Sequence, residues 1–208
     1  MRILIYGDSN TWGYDAKTGK RFEKRYPKYL QKMMPQHEFI EEGLPGRTLC
    51  QDDPYDEDRN GKKYISMVIK SHEPLDMIWI NLGTNDAKRM FSTNIYSMVK
   101  GLKAVLSIVL NPALYRNYGK IPEVWIIRPA RMHPDYELKK TTKANFGKEG
   151  DAIMEQLAVA YKNVCAAGGV KFIDTKDVIM ADKFDGIHIT EESHKKLAIY
   201  LKKKLEEK

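Results

Sequence analysis

Short apolar runs alternate with longer amphipathic stretches along the whole chain. A short apolar run is typical of a strand buried on both faces of a parallel sheet, and an amphipathic stretch is typical of a covering helix. The pattern predicts strands over 2–6, 38–41, 77–82, 123–127 and 170–173. It predicts helices over 27–34, 62–71, 95–110 and 151–167, and a last helix capped by Thr190. The expected fold is therefore α/β, a three-layer α/β/α sandwich with a five-stranded, mostly parallel sheet.

Two segments are expected to lie outside the regular strands and helices. The first, 52–60, is acidic and suits a surface loop, whereas the second, 132–146, is expected to cover the sheet edge as an irregular loop or short helix. The chain contains no internal repeat, low-complexity stretch or linker. We therefore expect a single domain over 1–208, which is long enough to bury a sizeable core.

Composition narrows the classes of partner. The chain is 42% hydrophobic and 30% charged, with a formal net charge of +7 that comes from scattered lysines. The densest basic run, 202–204, belongs to the terminal helix and is expected to be a solvated face. There is no stripe of Arg and Lys with interleaved aromatics, so we predict no nucleic-acid partner. The net positive charge would attract anionic substrates only weakly.

The cysteines and apolar runs bear on the compartment. Cys50 and Cys165 are far apart and lack metal-ligand spacing, which favours free thiols in a reducing environment. We read no signal peptide and no apolar run of membrane-spanning length, so the expectation is a cytoplasmic protein without a membrane partner. No cluster of histidine, cysteine and carboxylate residues has metal spacing, and we predict neither a metal nor a cofactor.

Polar residues follow several of the predicted strands. Ser9 follows the first strand, Gly46 lies in the turn after the second, and Asn85 follows the third. The carboxyl ends of parallel strands share one edge, where ligands bind in open α/β sheets. A serine there needs a base, and the base needs an orienting partner. Asp185 and His188, on one tight loop near the other end of the chain, are candidates for those two groups.

These segments resemble the four sequence blocks of the SGNH hydrolases, or GDSL-type esterases, in order and over almost the whole chain. The blocks are Gly7-Asp8-Ser9, the glycine turn after the second strand, Gly83-Thr84-Asn85-Asp86, and Asp185-Gly186-Ile187-His188. More narrowly, the stretches 7–13, 40–48, 52–54 and 82–88 resemble the bacterial arylesterase and acyltransferase branch. The resemblance implies a flavodoxin-like SGNH hydrolase fold and, since members of that branch often assemble, a homo-oligomer.

The resemblance also implies a role for each residue. Ser9 would be the nucleophile, His188 the general base, and Asp185 the group that orients the imidazole. The backbone N–H groups of Ser9 and Gly46 and the side-chain amide of Asn85 would form the oxyanion hole.

The sequence departs from the family pattern in one block and leaves a choice in another. Asn10 occupies the position of the leucine in the Gly-Asp-Ser-Leu motif that gives the family its name. This departure puts the prediction of the acyl pocket in doubt. The glycine of the second block is either Gly43 or Gly46, and alignment with the arylesterase pattern favours Gly46.

Further residues near the blocks are candidates for substrate contacts: Asn10, Trp12, Thr84, Lys88 and Phe184. Trp12 could equally be core packing. Lys88 is either a solvated surface charge or a partner for a substrate carboxylate.

Other polar residues have alternative interpretations. Asp8 and Asp86 are expected to be structural. His133 could line the cleft, whereas His37, His72 and His194 are placed on surfaces or helices without a chemical role. His194 is the nearest competitor to His188 as the base.

The resemblance therefore predicts a serine esterase that acts on small-molecule esters through an acyl-serine intermediate. Small acyl groups such as acetyl are expected because the chain lacks a large lipid-binding insertion. Transfer to an alcohol, cleavage of thioesters and deacetylation of sugars would use the same machinery. The alternative is a non-catalytic, flavodoxin-like module that binds a small ligand, but the 7–9 block lacks the spacing of a G-x-G-x-x-G phosphate loop.

Overall fold

The computed structural model describes residues 1–207 and contains one five-stranded parallel sheet with the order β2-β1-β3-β4-β5. The strands are β1 (Arg2–Gly7), β2 (Glu38–Gly43), β3 (Met77–Asn81), β4 (Glu123–Ile127) and β5 (Lys171–Ile173). All five lie where the apolar runs predict them, with ends that differ by at most two residues. The α/β fold class is confirmed.

Helices connect and cover the strands. They are α1 (Ser9–Trp12), α2 (Tyr26–Met33), α3 (Gly61–His72), α4 (Ile95–Val109), α5 (Lys140–Asn145), α6 (Gly147–Gly168) and α7 (Glu191–Glu206). As predicted, Thr190 caps α7, where its hydroxyl accepts a hydrogen bond from the backbone N–H of Ser193 at 3.1 Å.

The two faces of the sheet are buried against different helices. Because side chains alternate along a strand, Leu4 and Tyr6 pack in the layer that holds α3, α4 and α6. Ile3 and Ile5 pack in the opposite layer with α2 and α7. Each fully buried side chain of this size contributes about 1.5–3 kcal/mol relative to an exposed one, so both helix layers are held mainly by burial.

The strand register determines where the site lies. Gly7, the last residue of β1, is opposite Gly43 of β2 and Asn81 of β3. The chain moves to one side of β1 to form β2 and to the other side to form β3, β4 and β5. A crevice opens at such a switch point, beyond the carboxyl ends of the strands. The loops after β1, β2 and β3 therefore meet at one place.

The segment around helix α4 differs from the expectation that no apolar run approaches membrane-spanning length. The stretch Ile95–Tyr115, which contains α4, is long and apolar enough by length and composition to cross a membrane. The expectation that no apolar run approaches that length is therefore wrong in this narrow sense. Leu102, Val105 and Val109 are fully buried in the core, so the apolar face of α4 belongs to the α/β/α sandwich.

The two polar segments have defined structure, and the second contains short helices, one of the two forms expected for it. Residues 132–146 contain a 3-10 helix, Pro134–Leu138, followed by α5. In the acidic segment, Asp53 and Asn60 are buried, so 52–60 is not simply a surface loop. Both cysteines are free; Cys165 is buried, but Cys50 only half-buried.

Candidate active site

Ser9 stands at a sharp strand-to-helix turn, in a segment we call the Ser9 turn (residues 7–13). The Asp8 carboxylate caps α1 by accepting a hydrogen bond from the backbone N–H of Asn10 at 2.9 Å. A Cβ at Gly7 would lie 2.0 Å from Oγ1 of Thr11, so only glycine lets the chain turn this tightly. The turn leaves Ser9 6% exposed at the carboxyl edge of the sheet.

A second loop, residues 182–189, brings an imidazole to this serine; we call it the His188 loop. His188 Nε2 lies 2.9 Å from Oγ of Ser9. His188 Nδ1 lies 2.5 Å from Oδ2 of Asp185. Ser9 is thus joined to two groups from the other end of the chain in one series of hydrogen bonds. The arrangement can move a proton from the serine hydroxyl to the imidazole while the carboxylate stabilises the imidazolium.

The Asp185 carboxylate is held in its ionised form. Burial by itself raises the pKa of Asp185. The hydrogen bond and charge of His188 and the backbone N–H groups of Ile187 and His188 outweigh burial, so the pKa lies below its ordinary value. Both N–H groups donate to Oδ1 at 3.0 Å, which leaves Oδ2 for the imidazole.

Neighbours from distant parts of the chain hold the His188 loop. Asn10 Oδ1 accepts a hydrogen bond from the N–H of Ile189 at 3.0 Å, and Thr142 Oγ1 donates to the carbonyl of Asp185 at 2.5 Å. The Tyr14 ring packs on the imidazole with 4.5 Å between ring centroids. Gly186 adopts φ +81°, which favours glycine.

The turn after β2 and the loop after β3 face Ser9. Gly46 has φ +85°, a conformation that favours glycine, and it lines the cavity. Nδ2 of Asn85 donates to the carbonyl of Arg47 at 3.1 Å, which orients the amide and leaves its second N–H for another acceptor. Gly43 has a packing role, because a Cβ there would lie 2.3 Å from the backbone nitrogen of Trp12.

The buried side chain of Arg47 connects the segments that follow β1 and β2. It is 6% exposed, its guanidinium stacks 4.1 Å from the Tyr6 ring, and Nη1 donates to the carbonyl of Gly7 at 3.0 Å. The same group donates to the carbonyl of Glu42. Burial lowers the pKa of Arg47. Its contacts join the carboxyl ends of β1 and β2.

A cavity of about 470 Å³ opens over the serine. Six of the predicted site residues line it: Ser9, Gly46, Asn85, Lys88, Asp185 and His188. Its other lining residues are Tyr14, Ala16, Pro45, Arg59, Thr141, Thr142, Asn145, Phe146 and Ile187. The blocks at the strand ends thus meet at one cavity, together with residues that motif analysis missed.

Four of the five candidate substrate contacts do not line this cavity. Asn10 is buried behind the imidazole, where its side chain holds the His188 loop. Trp12 packs under the Arg21 guanidinium at 5.2 Å. Thr84 is buried with its hydroxyl beside Asp8, and Phe184 is 49% exposed. Only Lys88 lies where a substrate contact was expected.

The residues that were missed carry weak sequence signals. Thr142 and Phe146 belong to the segment that was expected to cover the sheet edge, but nothing in its composition singles them out. Arg59 is the basic residue in the acidic segment 52–60, and Nη1 binds Asp53 at 2.7 Å. Tyr14 follows the first block directly, and only its contact with the imidazole reveals its place.

Asp8 and Asp86 support the backbone, in line with the structural roles expected for them. Both oxygens of Asp86 accept the N–H of Leu49, at 3.0 and 2.8 Å. Burial raises the pKa of Asp86 to about 7, although these hydrogen bonds act in the opposite direction. Burial also raises the pKa of Asp8, against the hydrogen bond from Asn10.

Two other histidines lie outside the cavity. His194 lies on α7, in the final helix as expected, and it is fully buried against Tyr26 of α2. Its Nδ1 accepts the N–H of Tyr26 at 3.3 Å, and burial lowers its pKa to about 3. His133 accepts the N–H of Asp135 at 3.1 Å and caps a 3-10 helix. His188 is therefore the histidine in contact with Ser9.

Comparisons with known proteins agree with this fold. The GDSL-like lipase/acylhydrolase family model matches residues 5–196. The native aryl esterase of M. smegmatis superposes with a TM-score of 0.87 at 32% identity, covering 99% of this chain and 98% of the other. A carbohydrate acetylesterase from Sinorhizobium meliloti gives a TM-score of 0.89 at 29% identity, with the same coverage. No curated protein matches the chain by sequence. The similarities support ester hydrolysis over a non-catalytic binding module.

Proposed function

The chain belongs to the GDSL-like lipase/acylhydrolase family, in the arylesterase branch of the SGNH hydrolases, and on that premise we propose a serine esterase with a Ser9–His188–Asp185 triad. One observation carries the assignment of residues: the 2.9 Å approach of His188 Nε2 to Ser9 Oγ, with Asp185 on the opposite imidazole nitrogen. A serine hydroxyl becomes an effective nucleophile when a base accepts its proton in this way.

In the first half of the reaction, Oγ of Ser9 attacks the ester carbonyl carbon while its proton passes to Nε2 of His188. The carbonyl oxygen becomes a tetrahedral oxyanion. When the intermediate collapses, the bond to the alcohol oxygen breaks, and the leaving alkoxide takes the proton from Nε2. The products are the alcohol and an acyl group on Ser9.

In the second half, water gives a proton to Nε2 of His188 and attacks the acyl carbonyl carbon. Collapse of the second tetrahedral intermediate breaks the bond to Oγ, which recovers the proton from the imidazole. The acid leaves, and the enzyme returns to its starting state. The ionised Asp185 stabilises the imidazolium in both halves.

The oxyanion formed in each half requires hydrogen-bond donors at a fixed position. We assign the backbone N–H groups of Ser9 and Gly46 and the second Nδ2 hydrogen of Asn85 to this role. The left-handed Gly46 turn and the contact of Asn85 with Arg47 support the assignment, because both donors are held before substrate arrives. Removing one such donor typically costs about 3–4 kcal/mol of transition-state stabilisation.

The cavity and the relatives suggest the class of substrate. A volume of about 470 Å³, shared by an acyl group and an alcohol, suits a small acyl group such as acetyl. The relatives are named as an aryl esterase and a carbohydrate acetylesterase. The proposal is therefore an acetyl-type ester of a phenol or a sugar. Phe146 and Ile187 add apolar surface that would favour transfer of the acyl group to an alcohol as a side reaction.

A homo-oligomer in the cytoplasm completes the proposal. Leu138 is 78% exposed and Phe184 49% exposed, and both belong to segments next to the cavity. A second copy that covered these side chains would also wall the entrance of the cleft. Light scattering measures the molar mass, and a monomer at micromolar concentration would contradict this part of the proposal.

Replacing the nucleophile tests the function. We expect Ser9→Ala to lose p-nitrophenyl acetate hydrolysis and labelling by a fluorophosphonate probe, because no oxygen remains to attack. Ser107→Ala on α4 is the matched control, since Ser107 is exposed and does not line the cavity. Circular dichroism checks that both variants fold. Undiminished turnover in folded Ser9→Ala would remove Ser9 from the mechanism.

A further inference from the structure

A cation without a partner lines the cavity. Lys88 follows the 3-10 helix Asn85–Ala87, and its backbone N–H donates to the carbonyl of Asn85 at 3.2 Å. This short connection places the Lys88 side chain half-buried beside the proposed oxyanion hole. Within residues 1–207, the structure gives its ammonium no hydrogen bond and no ion pair.

The nearby guanidinium differs in this respect. Arg59 also lines the cavity, against Gly46, but Nη1 pairs with Asp53 at 2.7 Å and Nε lies 3.0 Å from Asp56. The Arg59 charge is therefore already balanced by two carboxylates, whereas the Lys88 charge is not.

The other charges of the cavity do not neutralise Lys88. The one carboxylate among the lining residues is Asp185, which is engaged with His188. Burial and the charge of Arg59 lower the pKa of Lys88, while Asp53 acts in the opposite direction. A half-buried ammonium without a partner is costly, and an anion bound beside it would relieve that cost.

We propose that Lys88 binds a carboxylate carried by the ester substrate, so that the enzyme prefers singly anionic esters over neutral ones of the same shape. This inference rests on the proposed function and adds the substrate class to it. One unbalanced ammonium matches one carboxylate in charge. Arg59, with its charge already balanced, borders the same site.

The carboxylate could belong to the acyl part or to the alcohol part of the ester, and two pairs of substrates distinguish these sources. The acyl pair is monoethyl succinate and its amide isostere ethyl succinamate, with release of ethanol as the readout. The alcohol pair is 3-acetoxybenzoate and 3-acetoxybenzamide, with release of acetate as the readout. Within each pair only the charge changes, so the ratio of kcat/KM values reports recognition of the carboxylate.

For the wild-type enzyme at low salt, we expect kcat/KM about tenfold higher for the anion than for the amide in one of the two pairs. Lys88→Gln should bring that ratio close to one, and Lys88→Arg should keep most of it because the positive charge remains. Salt at about 1 M should lower the wild-type ratio by screening. Lys103→Gln is the matched control, because it removes the same charge from an exposed position on α4.

The outcomes separate the two proposals. Wild-type ratios near one in both pairs, or a ratio that Lys88→Gln leaves unchanged, overturn the role of Lys88 while Ser9-dependent turnover of the neutral esters persists. If none of the esters is turned over in a Ser9-dependent way, the proposed esterase function fails first. Equal losses of the ratio in Lys88→Gln and Lys103→Gln would show an effect of overall charge and would also overturn the inference.

Discussion

The Ser9 turn and the His188 loop place two halves of one catalytic unit by different means. In the Ser9 turn, Asp8 caps the N–H of Asn10, and Gly7 leaves room for Thr11. These contacts span at most four residues of sequence. The conformation of the nucleophile is therefore largely encoded in its own block.

The His188 loop combines local and distant contacts. Asp185 accepts N–H bonds within the loop, as the Asp8 carboxylate does in its turn. The loop also depends on Asn10, Thr142 and Tyr14, which come from far away in the chain. The packed fold therefore positions the base, and substitutions far from His188 in sequence should lower the activity.

The largest expected effect comes from the orienting carboxylate itself. Asp185→Asn keeps the shape but loses the charge that stabilises the imidazolium, and the amide favours the wrong imidazole tautomer. We expect kcat for p-nitrophenyl acetate to fall by about 10³–10⁴-fold. Steady-state kinetics measures the loss. A fall of less than tenfold would show that His188 is oriented by the rest of its loop alone.

The next effect concerns pH. Because the pKa of Asp185 lies below its ordinary value, its carboxylate stays ionised between pH 5 and 8, so an acid loss of activity in that range does not come from Asp185. The carboxyl of Asp86, whose pKa burial raises to about 7, gains a proton in that range, but it is bonded to the N–H of Leu49 and not to Ser9. A general base works only in its unprotonated form, so activity should fall as the base that serves Ser9 gains a proton. We expect log(kcat/KM) to fall with a slope of one on the acid side, about tenfold per pH unit. A profile measured with p-nitrophenyl acetate tests this, and a flat one would contradict a histidine base.

Asn10→Ala tests whether the Ser9 turn and the His188 loop are coupled. The substitution removes the acceptor for the N–H of Ile189 without touching the serine. A buried donor left without a partner costs about 1–3 kcal/mol. We expect kcat to fall by about ten- to a hundredfold with a smaller change in KM, and the midpoint of thermal unfolding to decrease.

A matched variant on the same turn separates coupling from loss of the turn itself. Thr11→Val removes a hydroxyl that lies 2.9 Å from the Tyr26 hydroxyl and does not contact the His188 loop. It should lower the unfolding midpoint with less effect on kcat. Equal kcat losses in the two variants would mean that Asn10 acts through the turn and not through the loop.

The smallest effect is expected at the covering segment. Thr142→Val removes a hydrogen bond to the carbonyl of Asp185 but preserves the shape of the side chain. One neutral hydrogen bond contributes about 0.5–1.5 kcal/mol, so kcat should fall by roughly two- to tenfold. Thr141→Val is the control, because Thr141 lies on the same helix and also lines the cavity, but within residues 1–207 its hydroxyl has no hydrogen bond to the His188 loop. Equal effects in the two variants would assign the loss to α5 as a whole.

The sequence predicted the five strands and the order of the blocks because both depend on local patterns. Apolar runs identify buried strands, and glycine with short polar residues identifies the turns at their ends. The prediction that the blocks converge followed from the shared edge of a parallel sheet. The structure brings Ser9, Asp185 and His188 within hydrogen-bond distance.

The walls of the cavity could not be predicted in the same way. Tyr14, Arg59 and Phe146 line it, yet none lies in a periodic pattern that points to the site. Asn10 was expected to contact substrate and instead holds the His188 loop. The direction of a loop side chain depends on which other segment packs against it, and that information is absent from neighbouring positions.

The sequence alone thus determined the layered fold, the serine block and its matching loop, since hydrophobic period and turn chemistry act over a few residues. Only the tertiary structure shows that Asn10 holds the His188 loop. It also shows that the charge of Arg59 is paired with carboxylates, whereas the charge of Lys88 is not. Those outcomes depend on the pairing of charges and hydrogen bonds between segments that only the packed sheet and helices bring together.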